Sequence, residues 1–200
     1  MKTLPSALTP FVRSDAVGAI LAETYLHPDQ ELTIAEVARR ADVLPAVAHR
    51  EIGRLVDAGV LVDRREGNNR LVRVNPEHPL YAPMREIIEA TYGPVPVLRA
   101  LLWDAAGVDE AYVYGSWAAR RVGEPGPPPR DIDVLAVGTM SLDDVVAVQD
   151  AARQQLRIDV NVHRVTPESW ARPEDNPFLA TVRSRPLIAL ATKEIIHAQR

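Results

Sequence analysis

Apolar positions change period several times along the chain, and each change predicts an element. Over residues 15–26, "DAVGAILAETYL", Val17, Ile20, Leu21 and Tyr25 fall on one face of a helix. Thr33 with Glu36 three residues later is a capping-box signature, and Ile34, Val37, Ala38 and Ala41 follow at the spacing of a buried helical stripe. After a break at "DVLP", the segment "AVAHREIGRLVDAG" turns Val47, Ile52, Leu55 and Val56 inward and stops at Gly59. The period then drops to two: "VLVDRREGNNRLVRVN" reads as two strands joined by a Gly-Asn turn.

Pro76, Pro79 and Pro83 interrupt the next stretch, which predicts a connector with a helix from about Met84 to Thr91. "PVLRALLWDAAGV" is a further helix, and "EAYVYGS" a short β-branched and aromatic strand ending in Gly-Ser. "WAARR" continues as a helix. In "RDIDVLAVG", Asp131 and Asp133 share one face of a strand, against apolar Ile132, Val134 and Val137. "SLDDVVAVQDAARQQL" has a Ser N-cap with Asp144 at the third position and reads as a crossover helix. "LRIDVNVHRV" then alternates Ile158, Val160 and Val162 with Asp159, Asn161 and His163. No internal repeat is visible, and "GEPGPPPR" reads as a surface loop.

Composition narrows the class. At 200 residues, 46% hydrophobic and 25% charged, the chain has material for a core in one large or two small domains. Without cysteine, disulfides and thiolate metal sites are excluded. No apolar run reaches membrane-spanning length, and "MKTLPSALTPFVRSD" lacks the continuous apolar stretch of a secretory signal, so the expectation is a cytoplasmic protein without membrane contact. The net charge of −4 hides an asymmetry. Residues 39–73 hold eight Arg (39, 40, 50, 54, 64, 65, 70, 73) against five acids (42, 51, 57, 63, 66). All but Lys2 and Lys193 of the 23 basic residues are Arg, a bias that also fits genome composition.

Three helices and a hairpin, basic on the third helix and the hairpin, resemble a winged helix-turn-helix. The stretch "LTIAEVARRADVLPAVAHREIGRLVDAGVLVDRREGNNRLVRVN" is similar to the bacterial ArsR/MarR-type DNA-binding domains. The resemblance implies that the helix from Pro45 to Ala58 enters the major groove of double-stranded DNA and that "RREGNNR" is the wing. His49, Arg50 and Arg54 would face the groove, and Arg64, Arg65 and Arg70 the phosphates. Glu51, Asp57, Asp63 and Glu66 dilute that basic surface, and winged helices also serve as protein-binding modules.

The second half carries the candidate chemistry. Two adjacent carboxylates on one strand face repel unless something positive sits between them. Gly-Ser at a helix start lets an anion approach the backbone. This order of elements resembles the nucleotidyltransferase superfamily that includes DNA polymerase β, kanamycin nucleotidyltransferase and the minimal (MNT-type) enzymes, over about residues 95–200. Two departures are a longer gap from Ser116 to Asp131, through "EPGPPP", and the bulky Trp117, which would crowd a phosphate site. The resemblance implies that Asp131 and Asp133 bridge two Mg²⁺ ions and that Asp159 holds the metal that activates the acceptor. It also implies that Asp159 takes the acceptor's proton, while Gly115 and Ser116 hold the β- and γ-phosphates. Arg120, Arg121 and Arg130 are alternatives for steadying the leaving pyrophosphate.

The expected fold class is α+β: an N-terminal winged helix domain followed by a nucleotidyltransferase-like mixed β-sheet flanked by helices. The expected boundaries are 1–78 for the DNA-binding domain, 79–94 for the connector helix and 95–200 for the nucleotidyltransferase-like domain. The expected activity is Mg²⁺-dependent transfer of a nucleoside monophosphate from an NTP, such as ATP, to an unspecified acceptor, a partner protein among the candidates. The alternative is a transcriptional regulator whose second domain only binds nucleotide or a partner, antitoxin-like; antibiotic modification is a third reading. A homodimer would suit palindromic DNA. His163 is expected to be a satisfied strand histidine, and Trp103 and Trp170 core or interface residues.

Overall fold

The computed structural model describes residues 12–103 and 105–191. The secretory-signal reading of the first eleven residues, Lys2 and Lys193 lie outside the described residues. The chain divides into two compact units, Met1–Gly93 and Pro94–Arg200.

In the first unit, α1 (Asp15–Tyr25) is capped by Ser14, whose Oγ accepts from the Val17 amide. It buries Ile20, Leu21 and Tyr25, three of the four residues expected. The two-residue β1 (Leu32–Thr33) leads into α2 (Ile34–Arg40) through the capping box. The Thr33 amide donates to Glu36 Oε2 (2.8 Å) and the Glu36 amide to Thr33 Oγ1 (3.2 Å). Two otherwise orphaned donors are satisfied together, which fixes where the helix begins. Next comes α3 (Pro45–Asp57), with Pro at its first position, where no amide hydrogen is needed.

The inward face of α3 differs from expectation. Ala48, Glu51 and Ile52 are buried, while Val47, Leu55 and Val56 are only partly covered. Fully burying one side chain such as Ile52 stabilises by about 1.5–3 kcal/mol. The hairpin of β2 (Leu61–Glu66) and β3 (Asn69–Val74) forms as expected, Glu66 opposite Asn69 across a two-residue turn in which Gly67 takes φ +59°. With β1 it makes an antiparallel sheet of order β1-β3-β2.

Helix α4 (Tyr81–Tyr92) starts three residues before the expected Met84, with Pro83 inside its first turn. Proline is tolerated there because first-turn amides have no helical acceptor. Its Ile88 joins Ile20, Val37, Ile52, Leu61 and Val72 in the core of the first unit, so the helix set apart as a connector packs with that unit. Gly18 makes room for it: a Cβ there would lie 2.0 Å from the Tyr92 hydroxyl oxygen.

The second unit opens with α5 (Pro94–Trp103) and β4 (Val108–Tyr114), then α6 (Gly115–Arg121), β5 (Asp131–Gly138), α7 (Leu142–Leu156) and β6 (Asp159–Val165). Ser141 caps α7, accepting from the Asp144 amide at 3.1 Å. Four further elements follow that the sequence did not announce. They are α8 (Pro167–Ala171), a 3-10 turn (Pro173–Asp175), α9 (Pro177–Arg183) and β7 (Ile188–Ala191). The sheet runs β6-β5-β4-β7: β5 and β6 are parallel, as a helical crossover allows, and the other pairs antiparallel. Arg99 of α5 grips β7, donating to the carbonyls of Leu190 (3.0 Å) and Ala189 (3.3 Å).

One face of this sheet packs Ala111, Val113, Ile132, Val134, Val160 and Val162 against α5 and α7. The opposite face carries Tyr114, Leu135 and Val137 beneath Trp170, Leu179 and Val182. Trp170 is thus a core residue, whereas Trp103 is 39% exposed.

Candidate functional site

The strand register decides which polar residues meet. Asp131 and Asp133 stand on the second face of β5, with Tyr114 of β4 opposite Asp133 on one side. On the other side the parallel pairing sets Asp159 beside Asp131 and Asn161 beside Asp133. The two β5 carboxylates are brought together, and what lies between them is an amide. Asn161 Nδ2 donates to Asp131 Oδ2 (3.0 Å) and to Asp133 Oδ1 (3.2 Å). One neutral donor thereby answers part of the repulsion between two like charges.

Asp159 does not join them. Its Oδ1 accepts from Arg153 Nε of α7 at 2.9 Å, and its side chain is 65% exposed. Among the described residues, no three His, Cys, Asp or Glu side chains are grouped so as to hold a metal ion.

Above Asp133 the chain turns from β4 directly into α6, so Gly115 and Ser116 are themselves the first helical residues. Gly115 takes φ +75°, and a Cβ on it would lie 2.5 Å from Asp133 Oδ2. Glycine is demanded twice, by backbone conformation and by the carboxylate beneath it. Ser116 is exposed, and Trp117 is partly buried against the core of the unit instead of projecting over the turn.

Tyr114 adjoins the pair. Burial, then the negative charge of Asp133 and Asp131, pushes its phenol up to about 12. Its hydroxyl shares a 2.8 Å hydrogen bond with His163 Nδ1, which satisfies that histidine as expected. Phe178, 42% exposed, meets both rings with centroids 5.8 and 5.7 Å away.

Of the three arginines considered for the leaving group, Arg120 is engaged in the proline-rich loop. It donates to the carbonyls of Glu124 (2.7 Å) and Pro127 (3.2 Å). Arg121 and Arg130 are exposed. Sequence reading missed Asn161, Arg153 and the loop contact of Arg120. Only the polar phase of "IDVNVHRV" hinted at the first.

In the first unit, the residues expected to meet DNA are exposed or nearly so, but most face acids. Glu51, 6% exposed, lies under Arg50 (Nε to Oε1, 3.0 Å) and within 3.9 Å of Arg54, so it anchors these side chains instead of diluting the surface. Arg64 pairs with Glu31 and Glu66, and Arg70 with Asp63. Glu31 also faces Arg73 at 3.7 Å, and the Arg64 hydrogen bond holds its carboxyl below the usual range. His49 and Arg65 are exposed and make no ion pair among the described residues.

No helix of the described residues is long and apolar enough to cross a membrane. No protein-family model matches the chain, and no curated protein matches it. Several solved structures are similar to part of the chain. The haem sensor PefR from Streptococcus agalactiae in complex with heme is 17% identical, with 38% of this chain and 53% of that chain covered and a TM-score of 0.32. ZitR of Lactococcus lactis in complex with DNA is 15% identical over the same shares, with a TM-score of 0.31. The homodimeric winged helix-turn-helix DNA-binding domain of a possible ArsR-family regulator from Mycobacterium bovis is 17% identical. It covers 45% of this chain and 88% of that one, with a TM-score of 0.30. The chain thus spans about half the length of the first two structures it is similar to, and its likeness to winged helix DNA-binding domains is weak and partial.

Proposed function

We propose that the second unit transfers a nucleoside monophosphate from an NTP, ATP being the first to try, to an acceptor hydroxyl, while the first unit binds duplex DNA. The observation that carries the transferase reading is the convergence of Asp131 and Asp133 under Gly115, where a Cβ would stand 2.5 Å from Asp133 Oδ2. The donor set there is all oxygen once the amide turns, which suits a hard cation such as Mg²⁺. Mg²⁺ would offset the negative charge that gathers on the attacking and leaving oxygens.

The acceptor oxygen attacks the α-phosphorus, the bond to the bridging α–β oxygen breaks, and pyrophosphate leaves with that oxygen. Asp131 and Asp133 would hold the cation and so position the triphosphate. The open backbone at Gly115 and the Ser116 hydroxyl bind its outer phosphates. Asp159, opposite Asp131 in the register, is left to receive the acceptor's proton.

The test is incubation of the full chain with α-labelled NTPs, Mg²⁺ and a cell lysate. Label should pass to an acceptor and be lost in Asp131→Asn and Asp133→Asn. Absence of transfer with all four nucleotides refutes the activity. A nucleotide-binding regulator, antitoxin-like, is the second reading. It is favoured by the Asn161 amide already occupying the space between the carboxylates and by Arg153 holding Asp159. Nucleotide binding without transfer would support it.

DNA contact through His49 and Arg65, with Arg50, Arg54, Arg64 and Arg70 exchanging acid partners for phosphates, predicts weak and strongly salt-dependent binding. The exposed pairs of Arg64 and Arg70 are worth only about 0–1 kcal/mol, so phosphate can displace them.

A further inference from the structure

Resting on the nucleotidyl-transfer reading, we infer that the amide of Asn161, not the carboxylate of Asp159, completes the cation site with Asp131 and Asp133. Side-chain contacts separate the two candidates, which the register sets equally close to the aspartates. Asn161 lies opposite Asp133, and its amide touches both carboxylates. Asp159 stands at the strand's first residue, mostly in water, with its Oδ1 on Arg153. Drawing Asp159 inward would break that pair and oppose a third negative charge to the first two.

The spacing fits as well. Six oxygens about 2.0–2.1 Å from Mg²⁺ in an octahedron have neighbours about 2.9–3.0 Å apart. The Asn161 amide nitrogen lies 3.0 and 3.2 Å from one oxygen of each aspartate, close to that edge length. As it stands, the NH₂ group presents hydrogens toward the carboxylates. A half-turn about Cβ–Cγ exchanges it for the carbonyl oxygen at nearly the same point. The nitrogen's present position is then the place Oδ1 would take if a cation replaced the hydrogens. The same side chain is a neutral partner that donates to the two carboxylates that would hold the cation. The ligand set would carry two negative charges instead of three, and Asp159 keeps its pair with Arg153.

The test is Mn²⁺ binding to the full chain by electron paramagnetic resonance, with and without ATP, alongside the side-chain NH₂ resonances of Asn161. Asn161→Ala should weaken Mn²⁺ binding at least about ten-fold, the loss typical of removing even an outer partner of a metal site. Asn161→Asp should tighten it, and Asp159→Asn should leave it within about two-fold, as expected where only an exposed pair is lost. In the wild type, Mg²⁺ should shift the Asn161 NH₂ signals as their hydrogen bonds break. Asn161→Ser, which keeps a small polar side chain, repeats the test if the alanine variant unfolds. Loss of Mn²⁺ binding in Asp159→Asn, with both smaller Asn161 variants binding as the wild type does, overturns the inference. A wild type that takes up no Mn²⁺ even with ATP removes the nucleotidyl-transfer reading itself, and this assignment with it.

Discussion

Replacing Gly115 by alanine tests the packing at the β4–α6 turn directly. At φ +75° an L-residue is in the left-handed region, which costs about 1–2 kcal/mol. The added methyl would also stand 2.5 Å from Asp133 Oδ2, closer than any real contact, so the carboxylate must rotate away. Rotation gives up the bond from Asn161 to Asp133 Oδ1. Hydrogen bonds to charged groups contribute about 1.5–3 kcal/mol, and the partly exposed position puts this one at the low end. Together the two effects predict a loss of about 2.5–4 kcal/mol. At a urea dependence of about 2 kcal/mol per molar, the unfolding midpoint drops by about 1–2 M. Tryptophan fluorescence reads the right transition, because Trp103, Trp117 and Trp170, all three of the chain's tryptophans, lie in the second unit. Gly115→Ala combined with Asp133→Ala removes the collision and should retain only the backbone cost of about 1–2 kcal/mol relative to Asp133→Ala alone. A single variant as stable as the wild type, or a cost undiminished by Asp133→Ala, would refute the reasoning.

Three further outcomes follow from other contacts. Glu31→Gln releases Arg64 and Arg73 and should strengthen DNA binding at low salt, steepening the salt dependence by about one unit per freed phosphate contact, measured by fluorescence anisotropy. Trp170→Ala empties a side chain that is 6% exposed, bonded to Glu110 at 3.1 Å and stacked under Arg183 at 4.1 Å, and should cost the second unit about 3–5 kcal/mol in denaturant unfolding. Tyr114, raised from 10.0 to about 12, favours its neutral form in the folded state. Its contribution is therefore complete below pH 10.0 and lost as pH rises through about 12, so Tyr114→Phe should flatten the alkaline fall in stability over that window. An unchanged slope in alkaline melts would count against it.

Where short-range chemistry fixes structure, the chain could be read directly. Thr33 and Glu36, Ser141 and Asp144, and the Gly67-Asn68 turn each declare an element boundary through residues three or four positions apart. The elements missed are those whose stability comes from elsewhere. β7 is four residues, "IALA", with no alternation, and it exists as a strand because β4 and Arg99 offer it partners 75 to 91 positions away. Helices α8 and α9 are five and seven residues long, too short for a period. Yet Thr166-Pro167 and Asn176-Pro177 are the cap-then-proline starts that would have revealed them. Glu51 was read as solvent-facing because charge suggested so, and its burial follows from having Arg50 and Arg54 on either side. At the candidate site, the polar faces of β5 and β6 were legible, but their relative register was not. Register put Asn161 opposite Asp133, and the helix end at Arg153 drew Asp159 outward.

The late arrival of β7 also bears on how the chain is made. Strands β5 and β6 are joined locally through α7 and can assemble as soon as residue 165 has emerged. The outer edge of β4 waits for Ile188 to meet Val113 and Ala191 to meet Ala111. At about 5–20 residues per second, that leaves an apolar strand edge unpaired for about 4–15 s during synthesis. Unpaired edges invite other strands, so this interval is when a nascent copy is most exposed to misassembly with its neighbours on the same messenger. A chain cut short before residue 188 never leaves that state, and quality control would meet it as an aggregation hazard rather than as a merely weakened fold.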